Sequence, residues 1–214
     1  MNTLLSYFLG PEPKCQNHVD LGFIMDSSGS MRYDYGKQKS FMKSIVTSFG
    51  ISKEDTHAAV ITFSDIAEHS IKLRDHIDTI SFKRALEDIP WIGSTTRIDN
   101  ALTLAKNEMF KVASGARMHT KNILILLTDG KQTRNSYSTD PAIIARKIRS
   151  TGVKLYVIGV GPLVDTKELI DIAGDTNNFF KANNFTYLLS NDFKQSVRKR
   201  FCKGKFFVFM INNT

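Results

Sequence analysis

Cysteine is scarce in this chain, and its scarcity excludes several kinds of site. The 214 residues include two cysteines, Cys15 and Cys202, and neither their spacing nor their neighbours resemble a metal or redox motif. Cys15 precedes the part of the chain that has regular hydrophobic patterning, and Cys202 follows it. Two interpretations stay open: a disulfide bridge that ties the ends of a domain together in an oxidising compartment, or two unpaired thiols in a cytosolic protein.

Long apolar runs are also missing. No stretch approaches the roughly 20 apolar residues of a membrane-spanning helix, so we expect no membrane span. Residues 4–9 are apolar but have no basic residue before them, which makes them a poor secretory signal peptide. Another apolar run, residues 206–211, is too short to cross a bilayer.

Proline is rare, and the overall composition is that of a folded protein. The chain has 5 prolines, 42% hydrophobic residues and 23% charged residues, which is typical of a globular rather than a disordered chain. Its length suits one domain of ordinary size. We expect an N-terminal lead segment over residues 1–17, one domain over residues 18–202 and a C-terminal tail over residues 203–214.

Acidic residues are in the minority. The 29 Lys and Arg outnumber the 21 Asp and Glu, which gives a net charge of +8 and a balance that would suit an acidic partner. Basic residues cluster near the C-terminus, at Lys194, Arg198, Lys199, Arg200, Lys203 and Lys205. A solvated helix face is favoured there over a polyanion-binding patch. Because no aromatic-and-glycine pattern of an RNA-reading module accompanies the cluster, we expect no nucleic-acid partner.

From residue 18 onward the hydrophobic period changes repeatedly between strand-like and helix-like. This alternation is typical of βα units. Strands are predicted over residues 19–25, 57–64, 121–127, 153–161 and 178–182, with a shorter edge-type strand over 67–73. Helices are predicted over residues 41–49, 75–89, 98–109, 141–152, 166–174 and 187–201. The pattern predicts an α/β fold: a doubly wound, mostly parallel central sheet with helices on both faces.

Polar turns follow two of the predicted strands and precede one helix. Asp26, Ser28 and Ser30 come after the first strand, and Asp129 comes directly after the apolar run 123–127. A third polar turn, Gly93-Ser94-Thr95-Thr96-Arg97, precedes a helix and offers further hydroxyls. Since ligands of doubly wound sheets bind beyond the carboxyl ends of the strands, we expect these side chains to share one rim of the sheet.

All of these candidate ligands are oxygen atoms. Oxygen-only sets favour Mg²⁺, Mn²⁺ or Ca²⁺ over zinc or copper, which prefer imidazole and thiolate. Neutral hydroxyls leave a bound cation incompletely neutralised, so an acidic side chain of another protein is the natural further ligand. For single residues, ordinary structural roles stay open: Asp129 with Gly130 can form a turn, and Thr96 can cap the following helix.

Four stretches, in this order, resemble the von Willebrand factor A domain family. They are VDLGFIMDSSGSM, GSTTRIDNAL, ILLTDGK and GVKLYVIGVG, and the resemblance covers about residues 18–202. It implies a Rossmann-like fold and a metal-ion-dependent adhesion site, built from an Asp-x-Ser-x-Ser motif, a Thr in a glycine-led turn, and an Asp that begins Asp-Gly.

The resemblance implies a role for each residue of this site. Carried over by position, the metal ligands are Asp26, Ser28, Ser30, Thr96 and Asp129, with Thr95 in reserve for Thr96. In the family the Ser and Thr hydroxyls bind the metal directly, and the aspartates act largely through water. We therefore expect Mg²⁺, with Mn²⁺ or Ca²⁺ as alternatives.

A binding role is predicted rather than an enzymatic one. A phosphoryl-transfer enzyme of similar fold would need a second acid two residues after Asp26, where this chain has Ser28. The sequence also lacks a serine-hydrolase elbow and a dinucleotide fingerprint. The resemblance implies a domain that binds an exposed Glu or Asp of a partner protein, with collagen or another matrix protein as the candidate. An intracellular scaffold module is the alternative.

An extracellular location is favoured by two features. The flanking cysteines resemble those of matrilin-like and collagen-associated chains, which implies a disulfide bond. The sequence also carries two glycosylation sequons, at Asn184-Phe185-Thr186 and Asn212-Asn213-Thr214, which predict a glycoprotein.

Overall fold

The computed structural model describes residues 18–201. Its strands are β1 (Val19–Asp26), β2 (Thr56–Phe63), β3 (Ala67–Ile71), β4 (Lys121–Thr128), β5 (Lys154–Val160) and β6 (Phe179–Ala182). Its α-helices are α1 (Tyr35–Phe49), α2 (Thr79–Asp88), α3 (Ile98–Leu104), α4 (Pro141–Arg149), α5 (Thr166–Ala173), α6 (Phe185–Leu188) and α7 (Asn191–Phe201).

The six strands form one sheet in the order β3-β2-β1-β4-β5-β6. Every neighbouring pair is parallel except β2 with β3, which is antiparallel at one edge. β1 and β2 are buried at every position, as expected for parallel strands with both faces covered. The predicted doubly wound, mostly parallel α/β fold is confirmed.

Each face of the sheet has its own hydrophobic core. Successive side chains of a strand point to opposite faces, so Leu21 and Phe23 of β1 contribute to one core and Ile24 to the other. The first core contains apolar residues of α1, α2, α6 and α7, and the second contains those of α3, α4 and α5. The helices therefore hold the sheet from both sides and leave its carboxyl edge to the loops.

Several predicted helices have different bounds in the structure. The helix expected over residues 41–49 begins at Tyr35, and the helix expected over residues 141–152 ends at Arg149. The helix expected over residues 75–89 begins at Thr79, because the Asp78 carboxylate accepts hydrogen bonds from Ile80 N and Ser81 N and caps it there. The single helix expected over residues 187–201 is wrong. α6 and α7 replace it, and the Ser190 hydroxyl accepts a hydrogen bond from Phe193 N, 3.2 Å away, where α7 starts.

The helix expected over residues 98–109 also changes character along its length. After α3 the chain continues as one π-helical segment, Ala105–Met109. Met109 packs over Gly22 of β1, where a Cβ atom would overlap its sulfur. The π-helical segment thus places the bulky Met109 side chain against Gly22, where any residue larger than glycine would overlap it.

Several sequence features lie outside the described residues. These are Cys15, Cys202, the apolar run 206–211 and the sequon at Asn212. Between residues 18 and 201, no helix combines the length and the apolar character required to cross a bilayer.

Candidate metal centre

The register of two parallel strands brings the first two motifs together. Met25 of β1 pairs with Leu127 of β4, so Asp26 and Thr128 lie side by side at the carboxyl edge of the sheet. The Thr128 hydroxyl donates a hydrogen bond to Asp26 Oδ2. Asp129, the next residue, therefore leaves the sheet directly beside the loop that follows β1.

Asp26 is a fully buried carboxylate, 0% exposed. Its Oδ1 accepts a hydrogen bond from Ser28 N at 2.8 Å, and its carbonyl oxygen accepts one from Gln38 Nε2 at 2.7 Å. Burial raises the pKa of Asp26 to about 6, even though hydrogen bonds from Thr128 and Ser28 act in the opposite direction. Its negative charge is thus poorly compensated by this chain.

A chain of oxygen atoms connects the first loop, which follows β1, to the third loop, which follows β4. Ser28 Oγ lies 3.2 Å from Ser30 Oγ, and Ser30 Oγ donates to Asp129 Oδ1 at 2.8 Å. Burial raises the pKa of Asp129, and the hydrogen bond from Ser30 opposes that shift. Ser30 therefore contacts both Ser28 and Asp129.

Thr96 lies in the second loop, which precedes α3. A Cβ atom placed on Gly130 would lie 3.4 Å from Thr96 Oγ1, so this hydroxyl lies against the turn that follows Asp129. Thr133 holds the backbone of Thr96 in place, because Thr133 N donates to Thr96 O at 2.8 Å and Thr133 Oγ1 accepts from Thr96 N at 3.2 Å. The N-cap position of α3 belongs to Arg97, so Thr96 does not cap that helix. Its hydroxyl lies beside Gly130, the residue that follows Asp129.

Backbone hydrogen bonds hold the first and second loops together. Gly93 N donates to Ser27 O, and Gly29 N donates to Ser94 O, both at 2.8 Å. Further along, Trp91 Nε1 donates to the carbonyl of Ser28 at 3.0 Å. These contacts join residues more than sixty positions apart, and no pattern in the sequence signals them.

A second network, centred on Asp99, holds the second and third loops. Arg97 donates to both carboxylate oxygens of Asp99 at 2.8 Å, and Gln132 Nε2 and Thr139 N donate at 2.7 and 3.0 Å. Burial alone would raise the pKa of Asp99, but these hydrogen bonds outweigh it and hold the pKa below its ordinary value. Sequence reasoning missed Asp99 and Gln132, since only the fold makes them neighbours.

The donor set fits a hard divalent cation. Neither Asp26 nor Asp129 forms an ion pair with a basic residue of the described segment. The same segment holds no group of three or more His, Cys, Asp or Glu placed to bind a metal, so hydroxyls must complete any site at this edge. Octahedral Mg²⁺ with oxygens at about 2.1 Å places adjacent ligands about 3.0 Å apart. The spacings at Ser30 are close to that value.

Comparison with known proteins gives the family of this domain. The family model of the von Willebrand factor type A domain matches residues 20–195. The chain belongs to this family. The VWA domain is 31% identical over 171 residues to the human (Homo sapiens) collagen alpha-6(VI) chain, covering 79% of this chain and 7% of that one. It is 29% identical over 185 residues to mouse (Mus musculus) Matrilin-2, covering 84% of this chain and 19% of that protein.

Solved structures give the same result. Proximal thread matrix protein 1 of the mussel byssus is 31% identical, with a TM-score of 0.77, and the match covers 88% of this VWA domain chain and 47% of that chain. Another structure of the same mussel protein has a zinc-occupied metal-ion-dependent adhesion site (MIDAS) motif, with a TM-score of 0.78 and 31% identity. The VWA domain chain thus spans less than half the length of these relatives. None of them carries the name of an enzyme.

Proposed function

We propose that this VWA domain is a metal-dependent protein-binding module of the extracellular matrix. Its ligands are Asp26, Ser28, Ser30, Thr96 and Asp129, with Mg²⁺ as the ion. One observation carries the proposal: the buried carboxylate of Asp26 and the half-buried carboxylate of Asp129 contact hydroxyl groups, and no lysine or arginine of the described segment pairs with either carboxylate. A buried acid that has no basic partner and lies close to a second acid is costly unless a cation accompanies it.

In this proposal the neutral hydroxyl residues and the aspartates have different roles. The hydroxyls of Ser28, Ser30 and Thr96 contact the ion, while Asp26 and Asp129 orient water and those hydroxyls. When bound, the cation supplies an electrophilic position that a carboxylate can occupy. Because the direct ligands from this chain are neutral, a Glu or Asp of a partner protein completes the site.

The zinc found in the mussel protein is compatible with this assignment. Affinity of a given site for first-row divalent metals rises from manganese to copper and falls again at zinc, and selectivity depends on which metal is available, so an oxygen site also takes zinc when zinc is supplied. The absence of imidazole and thiolate ligands among the five residues favours Mg²⁺, with Mn²⁺ or Ca²⁺ as alternatives.

A group of exposed side chains next to the site forms the partner-binding surface in this proposal. Tyr33 is 86% exposed and Trp91 36% exposed, and the Arg32 guanidinium lies 5.8 and 5.7 Å from their ring centroids. Trp, Tyr and Arg are the residues that most often dominate binding energy at protein interfaces. The names of the relatives, collagen, matrilin and thread matrix protein, make a matrix protein the candidate partner.

The test measures metal and partner binding separately. Calorimetry should detect Mg²⁺ binding to the wild-type chain and none to Asp26→Ala, while Asp65→Ala, an exposed carboxylate on a neighbouring loop, should bind as the wild type does. As bait in a matrix extract, the wild-type chain should retain a protein in Mg²⁺ that is lost in EDTA and with Asp26→Ala. Equal retention by a folded Asp26→Ala chain would contradict the proposal.

A further inference from the structure

A shallow groove adjoins the metal centre on one side. It encloses about 240 Å³, and its wall includes Asp129, the carboxylate that contacts Ser30. Lys37 of α1, the exposed Leu163 after β5 and Asn184 before α6 also line it. Whatever occupies this groove lies next to the site where the partner's carboxylate must arrive.

Asn184 is the first residue of the sequon Asn184-Phe185-Thr186, and its fold position leaves it accessible. Asn184 and Thr186 are both exposed. As the N-cap of α6, Asn184 uses Oδ1, which accepts a hydrogen bond from Tyr187 N at 2.8 Å. Among residues 18–201, no hydrogen bond occupies its Nδ2. The atom that a glycan would modify is therefore not required by the cap.

We propose that Asn184 carries an N-linked glycan that covers this groove and restricts the approach of the partner. In the transfer, Asn184 Nδ2 forms a bond to the anomeric carbon of an oligosaccharide carried on a lipid diphosphate. The bond from that carbon to the diphosphate oxygen breaks, the lipid diphosphate leaves with the electron pair, and Nδ2 gives up one proton. The amide oxygen is unchanged, so the helix cap persists.

The consequence for binding rests on the function proposed above. A glycan at Asn184 lies over Lys37 and Leu163, and its polar surface replaces an exposed apolar side chain at the rim. Arg32, Tyr33 and Trp91 do not line the groove and stay accessible. The partner then reaches the metal across the aromatic surface and not across the groove.

The modification is tested on the full chain secreted from eukaryotic cells behind a signal peptide. Peptide mapping after peptide-N-glycosidase treatment should report a glycan at Asn184. Thr186→Ala removes the sequon but keeps the Asn184 cap, so it should lose this glycan, whereas Thr186→Ser should retain it. A secreted wild-type chain with unmodified Asn184 overturns the proposal.

A separate measurement tests whether the glycan covers the groove. Lysine acylation should be several-fold slower at Lys37 in the glycosylated chain than in Thr186→Ala, while Lys131, which is exposed outside this groove, should react equally in both. Equal rates at Lys37 would show that the glycan leaves the groove open and would overturn the restricted approach. Mg²⁺ calorimetry on Thr186→Ala separates this result from a failure of the metal site itself.

Discussion

Asp26 is the residue at which burial and charge conflict most strongly. It is the last residue of β1, fully buried, and its pKa is raised from 3.8 to about 6 by burial. A raised carboxyl pKa means that the folded state holds the proton more tightly than the unfolded state. Without metal, the free energy of unfolding therefore falls as pH rises from about 4 to about 6, and stays lower at neutral pH.

Asp26→Asn should therefore separate folding from metal binding. In EDTA at pH 7.5, removing the buried charge should leave the domain as stable as the wild type or more stable, by up to about 3 kcal/mol. Mg²⁺ binding should be lost. Urea unfolding gives the first quantity and calorimetry the second, with Asp65→Asn as the control carboxylate. A large loss of stability in EDTA, or unchanged Mg²⁺ affinity, would be inconsistent with this account.

Asp99 shows the opposite titration behaviour. Its hydrogen bonds from Arg97, Gln132 and Thr139 hold its pKa below the ordinary value, so its contribution to stability is complete above about pH 4 and is lost as pH falls through the folded-state pKa. Asp99→Asn should be less stable than the wild type at pH 6, and the difference should shrink towards pH 3. Urea unfolding across that range tests this; a difference that does not vary with pH would count against it.

At the scale of elements, three loops form the site because backbone contacts bind them to one another. Gly93 occupies the left-handed region at φ 81°, and its N donates to Ser27 O. A Cβ atom there would lie 2.5 Å from two atoms of the Trp91 ring. The second loop therefore requires glycine both for its backbone conformation and for the indole beside it.

Gly93→Ala should destabilise the domain by about 1–3 kcal/mol and weaken Mg²⁺ binding, because both strain and overlap act on the loop that carries Thr96. Gly36→Ala is the matched control. Gly36 lies in α1 with a negative φ and open space around a Cβ, so alanine there should stabilise by about 0.5–1 kcal/mol and leave Mg²⁺ affinity unchanged. Equal effects of the two substitutions would disprove the special role of Gly93.

The predicted helices and strands differ in how well local patterns define them. The bounds of β1 and β4 extend the predicted strands by one residue each, to Asp26 and Thr128, which are the two residues that meet at the site. The final helix was wrong because Ser190 supplies a local side-chain cap within a run whose apolar spacing continues across it. Side-chain caps interrupt helices without interrupting the hydrophobic period.

For the whole molecule, metal binding and global stability should be coupled. A ligand that binds only the folded state at 100 times its Kd stabilises that state by about 2.7 kcal/mol. For a domain of this size, that corresponds to a rise in Tm of about 5–10 °C. Differential scanning fluorimetry in Mg²⁺ should show this rise, EDTA should reverse it, and Ser28→Ala should greatly reduce it. A Tm insensitive to Mg²⁺ and Mn²⁺ would refute the metal assignment.

The amino-acid sequence by itself determined the fold class and the candidate ligands. Alternating hydrophobic periods define βα units because each element must bury one apolar face, and a parallel sheet places its strand ends at one edge. The family resemblance then added Thr96, whose hydroxyl the structure places against Gly130. The disulfide between Cys15 and Cys202 and the glycan at Asn184 stay predictions.

Only the tertiary structure decided what surrounds those ligands. Thr128 beside Asp26, Trp91 on the carbonyl of Ser28, and Asp99 with Gln132 all join residues from 33 to 102 positions apart. Such contacts depend on strand register and on the paths of the loops, and neither leaves a periodic signal in the sequence. The burial that raises the pKa of Asp26 likewise arises only in the folded chain, which leaves this residue 0% exposed.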